Sequence, residues 1–295
     1  MLAHAKAVSA PRAWAWKNVI PMTKDTDMSD DHYKMSVRMN LRLPPIDGMD
    51  ALPDDCPLCN KKNAIRNDEW HFLTCKMVQP NEVNARHDEV VNVLYRSALL
   101  MGIQAVREPA GLHSSDDRCP DLQLVLPGRN IISDVCITHP LAPSRVKNRT
   151  SWTTTGAARR MQNKKRTRYL ETADQNHAEL LPFSVETYGG MAPDAIKLLS
   201  AMGAMGEEQL GMWPRHVVIR HLIGSVATAV QRGNAVAWLS GYSRAMVALA
   251  QKRKAGGKQG KEQDLEVEQD LEVESEPEDM EEQEEGLGLT EEWRE

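Results

Sequence analysis

Residues 121–138 constrain this chain more than any other stretch. They read Asp-Leu-Gln-Leu-Val-Leu, then Pro127-Gly128-Arg129-Asn130, then Ile-Ile-Ser-Asp-Val-Cys-Ile-Thr. Alternation with period two marks a strand buried on one face, and Pro-Gly marks a turn. The spacing predicts an antiparallel hairpin with its turn centred between Gly128 and Arg129. One face then carries Leu122, Leu124, Leu126, Ile131, Val135 and Ile137, all apolar. The other carries Asp121, Gln123, Val125, Ile132, Asp134, Cys136 and Thr138. In that register Asp134 faces Gln123, and Asp121 is its diagonal neighbour at about 7–8 Å. Two carboxylates so placed can converge on a hard cation such as Mg²⁺. The competing reading is a loop acid after Pro120 and a solvated acid on an open sheet face. The joint pattern Pro120-Asp121-x12-Asp134, with Glu108 at the end of the preceding strand, favours the metal.

The flanking elements give an α+β order. A helix is expected over 84–102, with Asn84 as N-cap, Asp88 and Glu89 in the first turn and Gly102 at its end. Its apolar stripe is Val90, Val93, Leu94, Ala98 and Met101. Strands are expected at about 103–108, 121–126 and 131–138. A basic helix follows at 156–172, then a strand at 182–187 closed by Gly189-Gly190, then helices near 193–203 and 214–250.

Upstream stands Cys56-x2-Cys59-x11-His71-x3-Cys75. Two thiolates on a tight turn and a His/Cys pair about one helical turn apart can close a tetrahedral zinc site with no open position, which is a structural site. The span holds few apolar residues, so the metal is expected to supply much of its folding energy. The alternative is three reduced cysteines beside a surface histidine. Five cysteines, an odd number, with this spacing argue for a reducing compartment rather than a disulfide framework.

The basic helix reads Ala-Ala-Arg-Arg-Met-Gln-Asn-Lys-Lys-Arg-Thr-Arg-Tyr-Leu over 157–170. Ala158, Met161, Lys165 and Tyr169 share one face, so Lys165 interrupts an apolar stripe. Held near the two aspartates, it could stabilise charge developing on a phosphate. The alternative is a lysine snorkelling from the stripe's edge. Arg159, Arg160, Lys164, Arg166 and Arg168 spread over the remaining surface as candidate phosphate contacts.

Charge is divided unevenly. The net −6 splits into −16 over Glu262–Glu295 and +10 over the preceding residues. A cationic body points to a polyanion partner. The tail contains Glu-Gln-Asp-Leu-Glu-Val twice in tandem, and its composition predicts disorder. No apolar run of about 18 residues occurs, so no spanning helix or membrane partner is expected. The first residues lack the apolar core of a secretory signal. Lys164-Lys165-Arg166 and Lys252-Arg253-Lys254 permit nuclear import.

Taken in order, these motifs resemble the C-terminal region of site-specific non-LTR retrotransposon polyproteins, where a CCHC zinc knuckle precedes a restriction-endonuclease-like domain of the PD-(D/E)xK type. The matching pieces are Cys56, Cys59, His71 and Cys75; Arg86-His87-Asp88 at the helix start; Pro120-Asp121; Ile132-Ser133-Asp134-Val135; and Lys165-x3-Tyr169. The resemblance covers roughly residues 10–250. It implies an αβββαβ core and a Mg²⁺-dependent endonuclease acting on DNA, with RNA as an alternative partner. It assigns Asp121, Asp134, Lys165, Tyr169 and Glu108 to catalysis, and Arg86 and His87 to nucleic acid. It divides the chain into a helical or linker region (1–50), a knuckle (51–78), a nuclease-like domain (79–250) and a tail (251–295). The family's lysine two residues after the second acid is here Cys136, for which Lys165 would substitute. No Tyr-x-Asp-Asp polymerase motif occurs. The chain then reads as a fragment or a domesticated derivative, and a catalytically inactive nucleic-acid-binding protein is the alternative.

Overall fold

The computed structural model describes residues 2–112, 114, 117–211 and 213–273. The chain divides into two compact units, Met1–Ala248 and Leu249–Glu295. The helices are α1 (Leu2–Val8), α2 (Asp30–Leu41), α3 (Ala64–Asn67), α4 (Asn84–Leu100), α5 (Pro143–Lys147), α6 (Gly156–Gln175), α7 (Pro193–Leu210) and α8 (Arg215–Val273). The strands are β1 (Gln104–Arg107), β2 (Leu122–Leu126), β3 (Arg129–Ser133), β4 (Val135–Thr138), β5 (Glu179–Leu180) and β6 (Phe183–Glu186). The fold is mixed α/β. No described helix is long and apolar enough to cross a membrane.

The sheet β1-β2-β3-β5 is antiparallel except for β3 and β5, and β4 pairs with β6 in parallel. The expected strand 131–138 is thus two strands meeting at Asp134. Both parallel pairings keep one offset of 48 residues, as in Ile131↔Glu179 and Val135↔Phe183. The interruption falls beside Pro182, which has no N–H to give the ladder. Across it, Phe183 N donates to Asp134 O at 3.0 Å, and Ser133 Oγ donates to Leu181 O at 2.8 Å.

The hairpin forms, but its register differs from expectation. Leu126 pairs with Arg129, so the turn is the two residues Pro127-Gly128. Gly128 has φ +68, and proline followed by a left-handed glycine is the type II pattern. The ladder ends at Leu122↔Ser133. The next residues outward, Asp121 and Asp134, therefore stand opposite each other rather than on a diagonal. The division into faces survives, because the shift is by an even number of residues.

Leu122, Leu124 and Ile131 face a core with Val90 and Leu94 of α4, Leu198 and Met202 of α7, and Leu222 and Val226 of α8. On the opposite face Ile132 packs with Tyr169 and Ala173 of α6, Leu112 and Leu180. Asn84 is already helical rather than an N-cap, since a helical turn over Gln79–Val83 leads into α4. Gly102, at φ +68, ends that helix as expected.

The described residues of 1–50, expected as a helical or linker region, contain α1 and α2 and pack onto the body. Arg96 pairs with Asp25 at 2.5 Å, Arg232 Nη1 donates to Asp27 O at 2.9 Å, and Trp16, Met35 and Met39 are buried. In the second unit the helical backbone continues through the basic stretch and both hexapeptides to Val273, where disorder was expected. The rest of the tail, 274–295, lies outside the described residues.

Glu186, the last residue of β6, caps α6. Its Oε1 accepts from Ala157 N at 3.1 Å and Ala158 N at 3.3 Å. Gly156 permits this tight entry, because a Cβ there would meet Thr150 O at 1.9 Å. Burial raises the Glu186 carboxyl from 4.5 to about 7, against the pull of those two N–H groups. A carboxyl raised on folding binds its proton more tightly in the folded state. Its stabilising contribution is therefore full below about 4.5 and is lost as pH rises through about 7. Chemical denaturation of Glu186→Gln should show the stability difference moving in the variant's favour by on the order of 1–3 kcal/mol from pH 4.5 to 8. A pH-independent difference would refute this account.

Candidate functional site

The cysteine–histidine cluster assembles from two turns. Asn60 N donates to Cys56 O at 2.9 Å, and Cys56 N donates to Lys61 O at 3.1 Å, which closes the first turn around Cys56 and Cys59. A short helical turn, His71–Leu73, places His71 over Cys59, and Cys75 follows. One ligand atom from each of the four residues lies within 4.8 Å of the other three. Cys56 Sγ and Cys75 Sγ are 3.9 Å apart, and Cys59 Sγ and His71 Nε2 are 3.4 Å apart. A tetrahedron with Zn–S near 2.3 Å and Zn–N near 2.0 Å has edges of about 3.8 Å (S–S) and about 3.5 Å (S–N). The donor set and both edges therefore suit zinc. The Cys75 thiol, opposed by burial and aided by His71 and the N–H groups of Cys59 and Leu58, lowers the Cys56 thiol, so the pair shares its proton unequally. Thiolate is the form that ligates metal.

The cluster is not a free-standing module. Phe72 and Trp70 pack on Trp238 of α8, with ring centroids 5.7 Å and 6.2 Å apart. Trp238 Nε1 donates to Glu69 O at 2.9 Å. Gly241 gives Phe72 room, since a Cβ there would come within 2.7 Å of the ring.

The two aspartates meet at the ends of β2 and β3. Asp121 accepts from Val135 N at 2.6 Å and faces His87 Nε2 at 3.2 Å, both through Oδ2. Asp134 is buried and forms an ion pair with Lys165. Burial, then the like charge of Asp121, raise the Asp134 carboxyl, while Lys165 and the Tyr169 hydroxyl pull it back. The Tyr169 hydroxyl lies within hydrogen-bond reach of Cys119 O as well, at 3.2 Å, so its single proton is shared between that carbonyl and Asp134. Burial, then Asp134, raise the Tyr169 phenol, so it remains protonated. Burial lowers His87, but Asp121 and Asp88 outweigh it and raise the imidazole to about 9. His87 is therefore cationic at neutral pH.

Glu108 N donates to Asp121 O at 3.0 Å, continuing the ladder Arg107↔Leu122 by one residue. Glu108, Asp121 and Asp134 thus form a row across three strand ends. The Glu108 side chain is exposed, and among the described residues these three acids do not close into a three-donor group. Cys136 of β4 pairs with Ser184 of β6, because β4 leaves the hairpin for β6.

The predicted nucleic-acid contacts divide. Arg159, Arg160 and Lys164 are exposed along α6. Arg166 is engaged by buried Asp194, in a fork of 2.7 and 2.8 Å. Arg86, assigned to nucleic acid by the resemblance, is buried, and its Nη1 donates to Asn234 Oδ1 at 2.7 Å. Arg168 is half-buried. Sequence patterns gave no sign of Asp194 or Asn234, because each meets its arginine across tertiary contacts.

No protein-family model matches this chain, and neither does any curated protein.

Zinc content by atomic emission should be equimolar with the purified chain and should fall sharply in Cys59→Ser and His71→Ala. Loss of the metal should also change tryptophan fluorescence through Trp70 and Trp238. It should lower the melting temperature by about 2–4 °C for each kcal/mol lost. Full zinc retention in both variants would remove the assignment.

Proposed function

We propose that this chain is a retrotransposon-derived, metal-dependent DNA endonuclease that nicks target DNA by phosphodiester hydrolysis, in a restriction-endonuclease-like domain preceded by a zinc knuckle. The observation that supports it most is the convergence of Asp121 and Asp134 at adjoining strand ends, with Lys165 and Tyr169 of α6 on Asp134. The element order α4, β1, β2, β3/β4, α6, β5/β6 agrees with this reading. Two carboxylates at adjoining strand ends are a donor set of the kind Mg²⁺ takes, its remaining positions being filled by water and substrate phosphate. Asp121 and Asp134 would hold it, and when bound it supplies Lewis-acid polarisation of the phosphoryl oxygen.

The chain's own residues do the rest. Hydrolysis adds water across one P–O bond and leaves a phosphomonoester and a hydroxyl. Lys165, poised at Asp134, stabilises the extra negative charge that builds on the phosphoryl oxygens. Tyr169 orients Asp134, and His87 orients Asp121. The exposed Arg159, Arg160 and Lys164 neutralise flanking phosphates. Nuclear import would draw on the exposed Lys252-Arg253-Lys254, because Lys165 and Arg166 are engaged by Asp134 and Asp194.

A second reading, a catalytically inactive zinc-knuckle protein that binds DNA or RNA, has one observation in its favour. Cys136 occupies the place of the family's lysine, and burial raises its thiol, so it stays neutral there.

Supercoiled plasmid should be nicked in the presence of Mg²⁺ and left intact with EDTA. Asp121→Ala and Asp134→Asn should lower the rate at least ~100-fold, the scale of losing a key electrostatic group, without loss of DNA binding. Lys165→Ala should also be slow, and it should melt lower, because it leaves Asp134 buried and unpaired. Wild-type cleavage by the Asp121 variant would sink the endonuclease reading. Binding without cleavage by the wild type would favour the second.

A further inference from the structure

A cavity of about 710 Å³ lies between the cysteine–histidine cluster, the end of β4 and α5. It is large enough for a nucleotide-sized group. Lys61, Lys76, Arg86, His139 and Arg145 line it beside the metal-capable Cys59 and His71, and among the described residues no aspartate or glutamate does. A cleft in which cationic side chains predominate concentrates anions. Among the described residues, Lys61, Lys76, Arg86 and Arg145 form no ion pair with any carboxylate.

Arg86 sets this cavity apart from a patch of surface lysines. Its side chain crosses α8 at Gly233, where a Cβ would come within 2.3 Å of Arg86 Cγ. It is 3% exposed. Among the described residues its one hydrogen bond is to the neutral Asn234 amide, and Nε has no partner. Burial lowers the guanidinium to about 10, so the cation persists at neutral pH. A buried cation without a counter-ion is costly unless an anion completes it. His139, also on the wall, bonds Thr187 Oγ1 through Nδ1 at 2.8 Å, and its buried Nε2 has no partner. Burial, then Arg86, lower that imidazole to about 3, so it is a neutral group with hydrogen-bonding capacity to spare.

We propose that this cavity is a phosphate-binding site that takes a backbone phosphate of the bound nucleic acid, with Arg86 at its base and Lys61 and Arg145 at its rim. Its occupant being nucleic acid rests on the function proposed above. β4 joins the two places: Asp134 precedes it and Thr138 ends it, a separation of roughly 13 Å at about 3.3 Å per residue. At about 3.4 Å of rise per nucleotide, a strand crossing the acidic site reaches the cavity within about four nucleotides. The cavity would then fix how the strand lies across Asp121 and Asp134, and would make the cysteine–histidine cluster part of the DNA-binding surface.

The test uses the full-length, zinc-loaded chain and the double variant Lys61→Ala/Arg145→Ala, whose side chains lie outside the core. Two probes are used: sodium pyrophosphate in a thermal-shift assay, and a labelled DNA duplex in fluorescence anisotropy without Mg²⁺ from 50 to 300 mM salt. Pyrophosphate should raise the melting temperature of the wild type and leave that of the double variant unmoved. The double variant should bind DNA about tenfold more weakly, with the slope of log K against log salt reduced by about 1 to 2. Equal pyrophosphate shifts in both proteins, or a shift in neither, would overturn the site. A pyrophosphate effect confined to the wild type with unchanged DNA affinity would overturn its assignment to nucleic acid. Asp134→Asn separates this from the endonuclease reading: it should lose nicking yet keep both binding responses. A wild type that fails to nick but shows both responses removes the nuclease and keeps the cavity.

Discussion

Burying the Asp134 carboxylate requires a cation against it, and much of the architecture follows from meeting that need. Asp134 sits where one parallel ladder is interrupted beside Pro182, so its backbone is partly released from pairing. Its side chain lies under α6, which delivers Lys165 and Tyr169 one turn apart. α6 holds its position because Glu186 caps its start, Arg166 is tied to Asp194, and Tyr169 and Ala173 pack on Ile132. Removing one partner of a buried pair costs on the order of 3–5 kcal/mol. The site and the fold are therefore stabilised by the same contacts.

The cysteine–histidine cluster is coupled to the rest of its unit in the same way. Its four donors close on one another through local turns, but Trp70 and Phe72 pack on Trp238 of α8. That helix also carries Asn234, which holds Arg86. A metal at the cluster would brace the wall on which the arginine lies. Neither the cluster nor residues 1–50 behave as an appendage, because both bury side chains against α8.

Much of the candidate site's geometry is legible in the sequence. The four metal-capable residues are readable because their spacing is local, and the shared face of Lys165 and Tyr169 because 3.6-residue periodicity puts them on one side of a helix. Alternation does not fix turn length: the two-residue Pro-Gly turn puts Asp121 opposite Asp134, where a turn centred one residue later sets them on a diagonal. Apolar alternation persists through Asp134, so residues 131–138 look like one strand in the sequence. Only the pairing with β6, beside a proline about fifty residues later, interrupts it.

The sequence by itself determined the alternation of faces in the hairpin, the four metal-capable residues and the placing of Lys165 within an apolar stripe, since each depends on spacing within one element. Tertiary structure alone decided which charges are spent and which remain available. Arg166 is neutralised by Asp194, Glu186 becomes a helix cap, and Arg86 is buried without a carboxylate. The physical reason is that burial and counter-charge come from residues distant in sequence. A run of arginines and lysines looks uniform in one dimension and becomes unequal only when other elements pack against it.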